Sequence, residues 1–240
     1  MNGSSGRAVQ LYELVLDNGR SASPYVWRSR YALAHKGIEF TSVPLGFTDI
    51  PTVFGGRFKT VPVLRDGDHV VAESWDIAEY LERTRPQGAV LFGGASEVAT
   101  TRVLDAWLQA EILRRLFRLY VLDIHNAARP QDRGYFRESR EKRLQGRSLE
   151  EFTAGREQHL PAARAAFAPL RAHLANFAFL GGASPNYADY MVLAALQWVV
   201  SVSTLPLLAA DDEVLRAWFT RSLDLYGGLG REARMRPLFE

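Results

Sequence analysis

The chain has 240 residues, 47% of them hydrophobic and 23% charged, with a net charge of +2 and no cysteine. These proportions suit a globular protein with room for one large core or two small ones, and they argue against disorder. The weak charge bias, without a tight Lys/Arg run, gives no reason to expect a nucleic-acid partner, and the lack of cysteine excludes disulfides, thiolate metal sites and a protein thiol nucleophile.

The opening residues, MNGSSGRAVQ, lack an apolar h-region and read as a flexible lead-in. Residues Val9 to Leu16 pattern as a buried strand. A helix is predicted from Pro24 to about His35, with Ser23 at its threshold and Gly37 closing it. Ile38 to Val43 forms a second strand, so strand, helix and strand make a parallel unit. A loop-rich stretch with Gly55-Gly56 leads to a hairpin, Val61–Leu64 and His69–Ala72, turning at Asp66-Gly67. SWDIAEYLERT then reads as a helix capped by Ser74. The order is βαβ followed by ββα, a sheet with helices on its faces.

Pro and Gly in RPQGAVLFGGASE mark a linker, which places an α/β domain over 1–88, a linker over 89–96 and a helical domain over 97–240. One long helix is predicted from Glu97 to about Asp123, with Val103, Trp107, Ala110, Phe117 and Val121 at helical spacing. Residues Asn126 to His159 are charged and broken by Gly134, Gly146 and Gly155. The arginine-rich part of that stretch reads as a solvated face, because Glu138 and Glu141 offset much of its charge. Pro161 to Phe177 is another helix. Asn186 and Asp189 then form a capping box ahead of a segment, Met191 to Ala210, that carries no charge. That segment approaches the length of a membrane span, but its Gln197, serines, Thr204 and Pro206 favour a buried central helix, and a cytoplasmic location is expected. Asp211 to Leu225 is a last amphipathic helix.

Three short motifs invite chemistry, and each also has a plain structural reading. Ser23-Pro24 is a preferred helix start, since the serine accepts a hydrogen bond from an orphan amide. The residue three beyond is Val26, so no side chain reaches back, and a helix end with free amides stabilises an anion such as a thiolate. Val61-Pro62 opens an edge strand; most such bonds are trans, but a cis bond would turn the Val61 amide and carbonyl outward to pair with an extended peptide. Glu73-Ser74 reads as an N-cap beside an exposed acid, or as a site in which the Ser74 hydroxyl and helix amides hold a carboxylate while Glu73 accepts an ammonium. A thiolate site, a peptide edge and a zwitterion site together describe glutathione.

On these motifs, and on SPYVWRSRYALAHKGIEF, TVPVL, ESWDIAEYL and PNYADYMVLAAL, the chain resembles the glutathione transferase superfamily. The insert RPQDRGYFRESREKRLQGRSLEEFTAGREQHLP and the tail LDLYGGLGREARMRPLF are similar to the branch of bacterial glutathione-dependent β-etherases of lignin breakdown and the fungal etherase-like transferases. The resemblance implies a thioredoxin-like first domain, an all-helical second domain and cis geometry at Pro62. It also implies glutathione bound by Val61, Glu73 and Ser74, Ser23 facing the sulfur, and a homodimer; from the composition and patterning above, no metal, membrane or nucleic-acid partner is expected. Ser21 and Asn18 are the rivals of Ser23. The implied reaction is attack of the glutathione thiolate on an aromatic electrophile, with an α-keto β-aryl ether releasing a phenol as the narrower case. Tyr25, Trp27, Phe47, Trp107, Phe117, Tyr120 and Trp198 are the aromatics available to an acceptor pocket, with core packing as the alternative for each. A binding protein that holds aromatic ligands with little turnover is the competing reading, and a scaffold that has lost glutathione is a third, against which the intact Val61-Pro62 and Glu73-Ser74 argue.

Overall fold

The computed structural model describes residues 8–233 and 236–240; the first seven residues of the expected lead-in lie outside them. β1 (Val9–Leu14), α1 (Pro24–His35) and β2 (Thr41–Leu45) form the parallel unit, with Gln10 opposite Thr41 and Leu14 opposite Leu45. β2 begins three residues later than the pattern predicts. Gly37, at φ 64, reverses the chain after α1, and the Ile38 amide donates back to Leu33 O at 2.9 Å. Residues 38–40 are used in that return. Because the sheet order is β2-β1-β3-β4, β2 lies at an edge, where Pro44 needs no ladder partner.

β3 (Val63–Asp66) and β4 (His69–Ala72) form the predicted hairpin, closed at Asp66 opposite His69, with Gly67 at φ 62. β3 lies between β1 and β4, so it is not the edge strand expected; Pro62 is tolerated because it stands just before β3, outside the ladder, and the Val61–Pro62 bond is cis, as the resemblance implies. α2 (Ser74–Thr84) corrects the expected cap. Glu73 holds the cap position at φ 69 and Ser74 is already the first helical residue, so Ser74 does not cap the helix. A glutamate in the left-handed region is a strained backbone position of the kind that clusters at ligand sites.

The helical domain starts with one continuous run: α3 (Ala95–Trp107), a π turn (Leu108–Leu113) and α4 (Arg114–Ala127). The single long helix predicted there is present, but the wider turn rotates its buried face. Leu108, Ile112, Leu116 and Leu119 are buried, whereas Val103 is 70% exposed and Ala110 is exposed, so neither of those two belongs to the core. α5 (Pro130–Arg143) runs straight through Gly134, where a break was expected; the glycine's Cβ direction is open space, so the helix loses only propensity there. α6 (Leu149–Thr153) follows with a Ser148–Glu151 capping box. The helix expected over Pro161–Phe177 is two, α7 (Leu160–Ala165) and α8 (Ala168–Leu174). Pro169 has no amide to donate and fits only the first turn of α8.

α9 (Tyr187–Val202) is the central helix, and every one of its 16 residues is buried. No helix among the described residues is long and apolar enough to cross a membrane. The predicted capping box is present: the Ala188 amide donates to Asn186 Oδ1 at 3.0 Å and the Asn186 amide to Asp189 Oδ2 at 3.2 Å. Asp189 also accepts from the Leu180 amide (2.8 Å), the Gly181 amide (3.0 Å) and Trp218 Nε1 (2.8 Å). Burial pushes its carboxyl above the ordinary carboxylate range, and these donors pull against that rise. α10 (Glu213–Leu223) is capped by Asp212 and closes the bundle.

Sheet with helices, then helical bundle, is the thioredoxin-like domain plus all-α domain expected from the sequence. α1 packs along α9, so the two domains share a core. Polar contacts cross the same junction. Arg28 on α1 pairs with Asp105 on α3 at 2.9 Å, the Tyr25 hydroxyl donates to Gln109 Oε1 at 3.0 Å, and the Tyr187 hydroxyl donates to Ser74 O at 2.8 Å.

Candidate active site

A cleft of about 550 Å³ opens where the domains meet, a volume usual for small-molecule sites. The α/β domain contributes Ser23, Tyr25, Phe47, Thr60 and Val61. Ser23 is the N-cap of α1. Its Oγ accepts from the Val26 amide at 3.3 Å, and no side chain closes a reciprocal box. Of the three candidates to face a ligand's sulfur, Ser23 alone lines this cleft. Ser21 is buried beside it, accepting from the Ser23 amide at 3.3 Å through Oγ and from Trp27 Nε1 at 2.9 Å through its carbonyl. Asn18 is exposed, accepts from the Arg20 amide, and lines a different hollow with Asp123 and Asn126.

Glu73 and Ser74 stand beside the cleft rather than in its wall. The Glu73 carboxylate accepts from Thr60 Oγ1 at 2.8 Å, and Thr60 is a wall residue next to Val61. Ser74 is buried, with its carbonyl held by Tyr187. The chain therefore brings together, at one end of the cleft, a helix N-terminus with its capping hydroxyl, the Val61 segment that leads into β3, and an exposed carboxylate.

The predicted aromatics divide. Tyr25, Phe47, Phe117 and Trp198 line the cleft. Trp27 and Tyr120 do not: both are fully buried core residues, Trp27 holding the Ser21 carbonyl and Tyr120 donating to Leu205 O at 3.3 Å. Trp107 lines a separate hollow with Leu104 and Leu170. The π turn explains this last miss, because it brings Gln109 and Leu113 to the cleft and turns Trp107 away.

The larger surprise is α5. Tyr135, Phe136, Ser139, Arg140 and Arg143 all line the cleft, so the arginine-rich stretch is not wholly a solvated face. A clamp sets its position. Arg129 binds Asp132 (2.6 Å) and Asp49 (2.7 Å), while the Thr48 amide (2.9 Å) and hydroxyl (2.6 Å) donate to Asp132. Gly46 makes room for this, since a Cβ there would overlap the Arg129 guanidinium. The clamp seats Phe47 edge-on against Phe136, with ring centres 4.9 Å apart. A signal for α5 existed in the sequence: positions 136, 139, 140 and 143 share one helical face.

Fold and cleft define a class: a thioredoxin-like α/β domain joined to a helical bundle, with a ligand cleft at their junction. The chain belongs to the glutathione S-transferase family. The profile described as "Glutathione S-transferase, C-terminal domain" matches residues 99–219, and that for the N-terminal domain matches residues 22–84. Glutathione S-transferase 4 of Zea mays is 34% identical over 110 residues, which are 43% of this chain and 45% of that protein, so the match spans less than half of the relative's length. Among solved structures, a glutathione S-transferase of Ceriporiopsis subvermispora in complex with glutathione superposes with a TM-score of 0.78 at 22% identity, covering 91% of this chain and 96% of that one. A glutathione transferase of Phanerochaete chrysosporium gives 0.73 at 24%, covering 96% of each.

Proposed function

We propose that the protein is a glutathione transferase that directs the glutathione thiolate onto an aromatic electrophile, with cleavage of an α-keto β-aryl ether as the specific reaction to test. The observation that carries this reading is Ser23, a helix-capping hydroxyl in the wall of a cleft that also presents Val61, Thr60 and the aromatic side chains of Tyr25, Phe47, Phe117, Tyr135, Phe136 and Trp198. Glutathione lies along the Val61 edge. Glu73 takes its ammonium, and the N-terminal turn of α2 at Ser74 takes the neighbouring carboxylate.

A free thiol has a pKa near 8.5, so a small fraction of glutathione is thiolate at neutral pH. The Ser23 hydroxyl, donating to the sulfur, and the N-terminus of α1 favour the anion. The thiol proton leaves to solvent. The thiolate attacks the carbon that bears the aryloxy group beside the ketone; the C–S bond forms, the C–O bond breaks, and the phenolate departs with the electron pair and is protonated by water. The protein's contribution is chiefly orientation of the two reactants.

Ser23 is cap and sulfur ligand at once in this reading, and two variants separate the roles. Ser23→Ala should lose about 1 kcal/mol of stability as a cap, whereas Ser23→Gly should lose only a few tenths, ~0.3 kcal/mol. Both lack the hydroxyl, so both should raise the pKa of bound glutathione alike, read from thiolate absorbance against pH, and slow phenol release from the ether. A thiol pKa equal to the parent's in both variants would remove Ser23 from the chemistry. Tight glutathione binding without any thioether product from aromatic electrophiles would favour the binding-protein reading instead. The same family resemblance leads us to propose a homodimer; a monomer mass by light scattering at micromolar protein would contradict it.

A further inference from the structure

Among the described residues, four cationic side chains line the cleft, Lys59, Arg114, Arg140 and Arg143, and no Asp or Glu lines it with them. None of the four forms an ion pair among the described residues. This does not follow from the chain's charge, which is only +2. It arises because α5 sorts its charges by face. Arg137 takes Glu141 at 2.8 Å and Glu150 at 2.7 Å on one side, and Asp132 is taken by Arg129 and Thr48. The acids of α5 itself are thereby held elsewhere, except Glu138, which is exposed and outside the cleft wall.

Arg140 is the most constrained of the four. Its guanidinium lies 4.5 Å from the Phe136 ring centre and 5.5 Å from that of Phe47, and one N–H donates to Ser139 Oγ at 2.7 Å. Burial, then the neighbouring Arg143 charge, lowers its pKa to about 10. A half-buried guanidinium without an anion keeps a desolvation cost that an incoming anion relieves. Its planar fork matches a carboxylate, and the rings it lies against line the cleft together with Phe117 and Trp198, which offer apolar surface to an aromatic group. Lys59 adjoins Thr60 and Val61 and belongs with the peptide end of the cleft. Arg114, Arg140 and Arg143 come from the helical domain, the acceptor end.

We propose that the acceptor end of the cleft selects aromatic carboxylates, with Arg140 as the principal carboxylate ligand, Arg143 and Arg114 as supporting charges, and the ring seated among Phe47, Phe117 and Trp198. This rests on the reading of the cleft as a transferase site, but its test does not require turnover.

Calorimetric titration with 3,5-dinitrobenzoate and with its neutral methyl ester isolates the carboxylate, because the ring is the same. The parent protein should bind the benzoate at least about tenfold more tightly than the ester, a preference that shrinks as salt rises. Arg140→Met keeps the apolar stem and should collapse that ratio towards one; Arg143→Met should reduce it by a smaller factor and serves if the first variant does not fold. A ratio near one in the parent, or an unchanged ratio in both variants, overturns the proposal. So does a loss of glutathione affinity in Arg140→Met with the ratio intact, since it would assign the arginine to the peptide. Failure of the parent to bind glutathione, with the benzoate preference present, would instead remove the transferase reading and leave the carboxylate site standing.

Discussion

Asp189→Ala should destabilise the protein by about 4 kcal/mol, more than most single substitutions. The side chain is fully buried and accepts four hydrogen bonds, from the amides of Leu180, Gly181 and Asn186 and from the Trp218 indole. Alanine accepts none. Each buried donor left unpaired costs about 1–3 kcal/mol, and water entering the space recovers part of that sum. The Asn186 cap on the Ala188 amide survives, and the lost reciprocal bond of the box is already among the four. For a chain of this length a loss of 4 kcal/mol lowers the melting temperature by about 8–16 °C. The site should suffer with the fold, because Tyr187 opens α9 and holds the Ser74 carbonyl. Thermal unfolding followed by circular dichroism checks this; a melting temperature within about 3 °C of the parent would show that the web is dispensable.

Asp105→Ala should cost about 3 kcal/mol by a different route. Arg28 is 1% exposed and Asp105 19%, and the pair joins α1 to α3 across the domain junction at 2.9 Å. Among the described residues Arg28 Nε and one terminal nitrogen are buried without a hydrogen-bond partner, and apart from the Tyr25 ring face 5.0 Å away, Asp105 is the group that compensates its charge. Removing one member of a buried pair leaves the other charge uncompensated, which is worse than removing both. The double variant Arg28→Met/Asp105→Ala should therefore recover much of the lost stability. Denaturant midpoints of the two singles and the double decide the matter; a double variant less stable than Asp105→Ala alone would contradict the account. Loosening the junction should also show at the cleft, since Tyr25 on α1 and Gln109 in the π turn meet one turn away.

The local architecture was legible where a signal is complete within one turn of chain. Ser23-Pro24 starts α1, Asn186 and Asp189 box α9, and the Asp66–His69 turn closes the hairpin, because caps and tight turns depend on residues two to four positions apart. Absence of cysteine likewise decided, from composition, that any thiolate chemistry must come from a bound molecule. Elements that depended on distant partners were read less well. The π turn moved Val103 and Ala110 out of the core and Trp107 away from the cleft. Glu73 rather than Ser74 took the cap position of α2. Aromatic residues of equal promise in the sequence parted company, Trp27 and Tyr120 into the core, Phe117 and Trp198 to the cleft, because burial is set by what packs on the other side.

The cleft's charge was furthest from view. Residues 129–150 carry six arginines and one lysine against four acids, a net charge of +3 whose direction is unassigned along the chain, because basic and acidic residues alternate through the stretch. Only the folded helix, clamped through Arg129, Asp132 and the close approach at Gly46, separates them, turning Arg137 and its glutamates outward and Arg140 and Arg143 to the cavity. Net charge is a sum over residues, whereas a ligand meets the charges of one face; caps and turns completed within a few residues are written along the chain, and the packing of α5 against the α/β domain sets which charges the cleft presents.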